Sequence, residues 1–136
     1  MHCINILYFQ EAEPLYLQLV RDMRTLYRVC KLVHADLSEF NTLVLDGRLY
    51  IIDVSQSVEH DHPHALEFLR SDCNNVTKFF RFDFCLLYKS AYFRELGVPV
   101  VPLRKLFELI VDPLVRDDQV EMYLSDRYFS FAYLPI

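Results

Sequence analysis

The sequence predicts an α+β fold that is mainly helical and contains one small β-hairpin. Apolar residues recur at three- and four-residue spacing in several stretches, which is typical of helices with one buried face. An Asp46-Gly47 pair between two short apolar runs is a strong signal for a two-residue hairpin turn. With 53% hydrophobic and 24% charged residues, the 136-residue chain is expected to bury a core as one domain.

The first predicted element is a helix that begins at Pro14. Proline suits the first position of a helix because its missing N–H would have no helical partner there. A short apolar segment, Leu32-Val33, then leads into a polar loop that ends at Asn41. The helix is expected to pack under this loop through apolar residues at helical spacing, namely Leu15, Leu19, Met23, Leu26 and Cys30.

The hairpin follows, with strands predicted over 42–45 and 48–52 around the Asp46-Gly47 turn. The residues that flank a hairpin lie side by side at its open end. Asn41 precedes the first strand of the hairpin and Asp53 follows the second. We therefore expect the hairpin to bring these two side chains together.

Three helices are predicted after a polar loop over 55–64. The first carries apolar residues three and four apart, namely Leu66, Leu69, Cys73, Val76 and Phe80. The second runs over 102–111 and ends at Asp112-Pro113, because proline cannot continue a helix. The third, around Gln119 to Leu124, has a weaker pattern.

Composition excludes several classes of protein. A net charge of -5 disfavours nonspecific binding to nucleic acid, and nothing indicates sequence-specific DNA binding. Residues 1–10 lack the basic start and cleavage site of a signal peptide, and no apolar run approaches the ~20 residues of a membrane span. A cytoplasmic protein is expected, with reduced and buried thiols at its four cysteines, Cys3, Cys30, Cys73 and Cys85.

Three polar residues match the spacing of the phosphoryl-transfer site in protein kinases. In these enzymes one carboxylate accepts the proton of the substrate hydroxyl, and an amide five residues later holds a magnesium ion. A second carboxylate then holds the metal on the nucleotide phosphates. The spacing predicts Asp36 as the catalytic base, and Asn41 and Asp53 as ligands of Mg²⁺ that bind ATP.

The residues around these positions resemble the RIO family of atypical protein kinases. The resemblance lies in Val-His-Ala-Asp-Leu-Ser-Glu-Phe-Asn at 33–41 and in Tyr-Ile-Ile-Asp-Val-Ser-Gln-Ser-Val-Glu at 50–59. The second stretch stands where ordinary protein kinases carry Asp-Phe-Gly. Further similarity over 62–80 indicates the first RIO subfamily, with the third as the nearer rival. The resemblance covers about 15–80 and resumes over 97–123.

This resemblance implies a kinase-like carboxy-terminal lobe whose small hairpin carries the metal ligands. It implies a serine/threonine protein kinase or ATPase that uses ATP and Mg²⁺, with a protein substrate bearing Ser or Thr. It further implies a cytoplasmic enzyme that joins precursors of the small ribosomal subunit and supports their maturation. In such an enzyme Asp53 is also a candidate acceptor of the γ-phosphate, because carboxylates act as nucleophiles in some ATPases.

The sequence departs from the family pattern in two respects. Gly47 and Gly97 are the only glycines, so the chain contains no Gly-rich phosphate loop. It is therefore interpreted as a single partial RIO kinase domain over 1–136 from which the amino-terminal lobe is absent. The segment 81–96 has no counterpart in the family and is predicted to be an insertion. The alternative function is a noncatalytic scaffold that binds a partner and no nucleotide.

A histidine-rich stretch at 60–64 raises a third function, a metal-dependent hydrolase. Imidazole nitrogens at His60, His62 and His64 suit zinc, copper or nickel. Pro63 constrains the backbone and no evident fourth ligand is nearby, so loop and helix-start roles are favoured. His34 is expected to pack and hydrogen-bond beneath the catalytic loop, and not to transfer protons.

Overall fold

The structure is a computed structural model that describes residues 2–3, 9–83 and 100–132. It confirms a mainly helical α+β fold with small antiparallel sheets. The predicted insertion over 81–96 lies outside the described residues from position 84 onward. The helices and strands are β1 (His2–Cys3), α1 (Phe9–Arg28), β2 (Leu32–Val33), β3 (Thr42–Leu45), β4 (Arg48–Ile51), β5 (Val58–Glu59), α2 (Ala65–Lys78), α3 (Leu103–Val111) and α4 (Asp117–Ala132).

Strands β3 and β4 form the predicted hairpin. They pair antiparallel with Leu45 opposite Arg48, which leaves Asp46 and Gly47 as a two-residue turn. Both turn residues have positive φ, 51° and 74°, as the hairpin turn that matches strand twist requires. Strand β1 pairs with the other side of β3, so the three-stranded sheet has the order β1-β3-β4.

A second, two-stranded sheet joins β2 to β5. Leu32 lies opposite Glu59 and Val33 opposite Val58. The prediction of a loop over 55–64 is therefore wrong at β5. A strand of two residues is too short to show the alternating pattern by which strands are recognised in a sequence.

The outward edge of β4 is covered by a side chain of α1. The Gln18 amide nitrogen donates to the main-chain oxygen of Leu49 at 2.9 Å, and the Leu49 N–H donates to the Gln18 amide oxygen at 3.1 Å. One amide side chain thus pairs with both main-chain groups that a neighbouring strand would bind.

Helix α1 begins at Phe9, so the predicted start at Pro14 is wrong. Pro14 lies inside the helix, where its missing N–H removes one hydrogen bond from the first turns. Apolar packing of the following residues compensates for this loss, since Leu15 and Leu19 are buried. Helical stability in proteins comes mainly from such packing and less from local propensity.

The core lies between α1, α2 and α3 and contains most of the predicted helix faces, but Leu26 is only half-buried and Leu103 is 41% exposed. Tyr16 of α1 contacts the chain just after α2 and just before α3, because its ring centre lies 5.1 Å from that of Phe80 and its hydroxyl accepts a hydrogen bond from the Val101 N–H at 2.8 Å. Leu66, predicted on the buried face of α2, is 44% exposed, and its neighbour Ala65 is buried instead. The most deeply buried large side chains are Tyr16, Phe80, Leu15, Leu19, Leu37, Leu49, Leu106, Leu109, Ile110 and Leu124.

The structure describes the side chains of two of the four cysteines. Cys73 is buried as predicted, and burial, with a smaller effect of Asp72, raises the pKa of its thiol to about 12. Cys30 is exposed, so the prediction of a buried thiol is wrong there. The reason is that α1 ends at Arg28 and Cys30 lies in the turn beyond it.

A buried cation, Arg24, ties α1 to the chain around α3 and α4. Its side chain donates to the main-chain oxygens of Leu109 and Val115 and to the carboxylate of Asp117 at 2.9 Å. Among the described residues, no helix has both the length and the apolar character needed to span a membrane.

Replacing Arg24 with Met is expected to lower the free energy of unfolding by about 1–3 kcal/mol, because the buried main-chain oxygen of Leu109 loses its donor, whereas that of Val115 keeps the one from Arg28. Urea unfolding followed by circular dichroism measures the loss. Arg21 supplies the matched control, since it lies on the same helix in an exposed ion pair with Glu121. Arg21→Met should cost at most about 1 kcal/mol, and equal losses for the two variants would contradict a buried structural role of Arg24.

Candidate functional site

The three predicted site residues lie at the open end of the β3–β4 hairpin. Asp36 is in the loop after β2, and Asn41 ends a short 3₁₀ turn, Glu39–Asn41, that leads into β3. The Ile52 N–H donates to the main-chain oxygen of Asn41 at 2.9 Å, so these two residues face each other across the hairpin. Asp53 is the next residue. The structure therefore brings Asn41 beside Asp36 and places Asp53 directly after the residue that pairs with Asn41.

The orientation of the Asn41 amide is fixed by Asp36. Its nitrogen Nδ2 donates to the main-chain oxygen of Asp36 at 2.7 Å and to the carboxylate oxygen Oδ2 at 3.2 Å. A carbonyl oxygen only accepts, so the nitrogen and not the oxygen must face Asp36. The amide oxygen Oδ1 of Asn41 is then the atom that can contact a cation.

His34 links the loop of Asp36 to the end of β4. The ring is 1% exposed, and the Asp36 N–H donates to its Nδ1 at 3.2 Å. Because Nδ1 accepts, the proton resides on Nε2, which donates to the main-chain oxygen of Ile52 at 2.8 Å. Both ring nitrogens are hydrogen-bonded, which is the structural role that the sequence predicts for His34.

Asp72 in α2 binds the backbone of the same loop. The side chain is 2% exposed, and its two carboxylate oxygens accept from the N–H groups of Ala35 at 2.9 Å and Leu37 at 3.0 Å. These N–H groups lie on either side of Asp36. Burial raises the pKa of the Asp72 carboxyl, and the two backbone donors act in the opposite direction.

The role of Asp72 was not predicted from the sequence. The signal was present, because a carboxylate on the apolar face of a helix is costly to bury without hydrogen-bond donors. The bonds from Asp72 also hold a strained backbone, since Ala35 has a φ of 71°. Non-glycine residues seldom adopt this conformation, and where they do the surrounding structure must enforce it.

Asp53 also has a left-handed backbone, with a φ of 55°. Its carboxylate is exposed, and its oxygen Oδ1 accepts a hydrogen bond from the Ser55 hydroxyl at 2.7 Å. Asp36 is exposed as well. Both carboxylates can therefore be reached by a ligand from solvent.

The donor set suits magnesium. Asp53 offers a carboxylate and Asn41 an amide oxygen, and Mg²⁺ prefers oxygen ligands. Proteins usually bind this ion through one or two carboxylates and leave its other positions to water and substrate phosphates. The residues present therefore fit a magnesium ion that is shared with a nucleotide.

The histidine-rich stretch packs against aromatic rings. His60 lies edge-on to Tyr27, with ring centres 6.0 Å apart. His62 and His64 both lie near Phe68, at 5.9 and 6.3 Å, and the His64 N–H donates to Nδ1 of His62 at 3.1 Å. Within the part of the chain that the structure describes, no three side chains of His, Cys, Asp or Glu form a group that could hold a metal ion.

Comparison with known protein families identifies the domain. A family model described as "RIO domain" matches residues 3–92, which is more than half of the chain. The chain belongs to the RIO domain family. The resemblance predicted from the two motifs around Asp36 and Asp53 is thereby confirmed.

Curated members of the family are similar over most of the chain. The chain is 63% identical over 118 residues to a protein named Serine/threonine-protein kinase RIO1 from Caenorhabditis elegans, covering 87% of the chain and 21% of that protein. It is 50% identical over 115 residues to the human protein of the same name, covering 85% of the chain and 18% of that protein. Human Serine/threonine-protein kinase RIO3 is 56% identical over 72 residues, covering 53% of the chain and 14% of that protein. The chain thus spans about a fifth of the length of its RIO1 relatives.

Proposed function

We propose that this RIO domain takes part in transfer of the γ-phosphate of ATP to serine or threonine hydroxyls of proteins, with Mg²⁺. The observation that carries the proposal is the fixed amide of Asn41, held by Asp36 on one side and followed across the hairpin by Asp53. Relatives that are similar over most of the chain are named serine/threonine-protein kinases. In this proposal the fold is the carboxy-terminal lobe of a kinase-like domain.

Each site residue then has a separate task. The Asp36 carboxylate accepts the proton of the attacking hydroxyl, and Asn41 and Asp53 hold Mg²⁺ through oxygen atoms. When bound, the ion neutralises charge on the phosphate oxygens. His34 and Asp72 contribute by fixing the backbone on which Asp36 stands.

In the alternative ATPase form of the proposal, Asp53 is a covalent acceptor and the phosphate is passed to water. One carboxylate oxygen of Asp53 would bond to the γ-phosphorus while the bond from that phosphorus to the bridging oxygen breaks, and ADP would leave. Water would then hydrolyse the acyl-phosphate. Label from γ-labelled ATP should in that case be released by hydroxylamine and be absent in Asp53→Asn. Label that resists hydroxylamine and lies only on Ser or Thr would support direct transfer instead.

The family resemblance also supplies a proposed setting. We propose a cytoplasmic enzyme whose partner is a precursor of the small ribosomal subunit. The chain has a net charge of -5, so such contact would depend on local basic groups and not on bulk charge.

A noncatalytic scaffold is the second candidate function. It is favoured by one observation, that the chain has only two glycines and so contains no Gly-rich phosphate loop. A scaffold would bind a protein partner whether or not ATP and Mg²⁺ are present, whereas a kinase needs both. The two functions therefore differ in their dependence on ATP and Mg²⁺.

The test places the chain in the setting of its relative. In an exchange protein, the 118 matched residues of the Caenorhabditis elegans relative are replaced by those of this chain. We expect Asp53→Asn to weaken Mg²⁺-dependent ATP binding, measured by calorimetry, by about 10-fold or more, because even the loss of a residue that only supports a metal ligand typically costs this much. Binding of a protein partner without ATP, or failure of the exchange protein to bind any nucleotide, would support the scaffold.

Asp46 provides the matched control for this substitution. It is an exposed aspartate in the same hairpin, and its φ of 51° is close to the 55° of Asp53. Asparagine tolerates this left-handed backbone, so neither substitution should strain the chain. Asp46→Asn should leave ATP binding within about twofold of the unaltered protein, and an equal loss in both variants would contradict a metal-binding role for Asp53.

A further inference from the structure

The chain turns back on itself directly after Asp53. The Ser57 N–H donates to the main-chain oxygen of Val54 at 3.1 Å, which closes a turn with Ser55 as its second residue. From this position the Ser55 hydroxyl donates to Oδ1 of Asp53 at 2.7 Å. The distance is typical of a strong, charge-assisted hydrogen bond to a carboxylate.

One residue, His34, holds the backbone both before and after Asp53. Before Asp53, the main-chain oxygen of Ile52 accepts from the His34 ring at 2.8 Å. After it, the Ser57 hydroxyl donates to the main-chain oxygen of His34 at 3.4 Å, and Val58 then pairs with Val33 in the β2–β5 sheet. The backbone that carries Ser55 is therefore held in place, although the Ser55 side chain is exposed.

We propose that Ser55 is a positioning residue for Asp53. Its hydroxyl selects one side-chain rotamer of Asp53 and occupies Oδ1, which leaves Oδ2 available for the cation. The inference rests on the proposed function, in which Asp53 holds Mg²⁺. It extends that function to a residue that touches neither the metal nor the nucleotide in the proposed arrangement.

The choice of ion makes the inference testable. Mg²⁺ demands a nearly ideal octahedral arrangement of its ligands, whereas Ca²⁺ accepts flexible arrangements. A residue that only orients the carboxylate should therefore matter more for Mg²⁺ than for Ca²⁺. If the hydroxyl acted only by withdrawing charge from Asp53, its removal would strengthen the binding of both ions.

The first measurement needs no metal. Three-bond couplings in nuclear magnetic resonance spectra of the 136-residue chain report the side-chain rotamer of Asp53. We expect one dominant rotamer in the unaltered chain and in Ser55→Thr, which keeps the hydroxyl, and rotamer averaging in Ser55→Ala. Ser71, exposed on α2, gives the control Ser71→Ala, which should match the unaltered chain. Averaging in the unaltered chain, or one rotamer in Ser55→Ala, overturns the inference.

The second measurement titrates Mg²⁺ or Ca²⁺ into the same chains with ATP present, followed through the amide signals of residues 53–57. Ser55→Ala is expected to weaken Mg²⁺ binding by about 10-fold, as loss of a partner of a metal ligand typically does, and to weaken Ca²⁺ binding less, because Ca²⁺ tolerates flexible ligands. Ser55→Thr should restore the Mg²⁺ affinity. If Asp53→Asn loses Mg²⁺ binding while Ser55→Ala retains it in full, this inference alone fails. If Asp53→Asn binds Mg²⁺ as well as the unaltered chain does, the proposed function fails with it.

Discussion

Replacing Asp36 with alanine in the exchange protein is expected to lower phosphoryl transfer by about 10²- to 10⁴-fold, the usual contribution of a general base. Binding of Mg-ATP should stay within about twofold. The reason lies in the contacts of Asn41, whose Nδ2 is 2.7 Å from the main-chain oxygen of Asp36 and 3.2 Å from its carboxylate. The shorter contact survives the substitution, so the amide keeps its orientation toward the metal.

Single-turnover kinetics measures the transfer step, and calorimetry measures nucleotide binding. Asp118→Ala is the matched control, because Asp118 is an exposed aspartate on α4 whose carboxylate binds Arg116 and none of the three candidate residues. It should change neither quantity. Should Asp36→Ala weaken Mg-ATP binding as strongly as Asp53→Asn does, Asp36 would be a metal ligand and its assignment as base would be wrong.

Replacing Asp72 with alanine is expected to destabilise the fold and to loosen the loop that carries Asp36. The N–H groups of Ala35 and Leu37 would lose their acceptors, at about 1–3 kcal/mol for each group left unsatisfied. Removing the carboxylate also removes the free-energy cost of burying it, which offsets part of this destabilisation. We therefore expect the free energy of unfolding to fall by about 2–4 kcal/mol in total. Urea unfolding of the chain measures the loss, and amide hydrogen exchange at Ala35 and Leu37 locates it.

Two variants show whether the effect comes from the hydrogen bonds. Asp72→Asn keeps one acceptor oxygen, so it should protect one of the two amides and lose less stability than Asp72→Ala. Asn74→Ala alters an exposed position of the same helix and should leave both amides protected. Fast exchange confined to α2 in Asp72→Ala, with Ala35 and Leu37 still protected, would contradict the loop-anchoring role.

The hairpin and the placement of the candidate residues at its open end could be predicted because their signals are local. Asp46 and Gly47 are the residues that a two-residue turn with positive φ favours, and the turn sets the register of β3 and β4. The register in turn determines that Asn41 faces the residue before Asp53. Short-range geometry was therefore sufficient to bring the candidate ligands to one end of the hairpin.

The features that escaped prediction depend on contacts between distant parts of the chain. Asp72 accepts hydrogen bonds from the N–H groups of Ala35 and Leu37, which precede it in the sequence by 37 and 35 residues. A sequence pattern does not reveal which backbone groups lack partners. The start of α1 was misplaced because packing outweighs the cost of an internal proline. Strand β5 exists because it pairs with β2, which no local signal shows.

The amide of Gln18 has a consequence for how molecules of this protein meet in solution. A strand at the edge of a sheet presents main-chain groups that can recruit a strand from a second molecule. At Leu49 these groups are already bound by a side chain from α1, at 2.9 and 3.1 Å. The hairpin that carries the candidate ligands is thereby shielded at this point from edge-to-edge aggregation, and the shield is a single residue of a helix that belongs to the core.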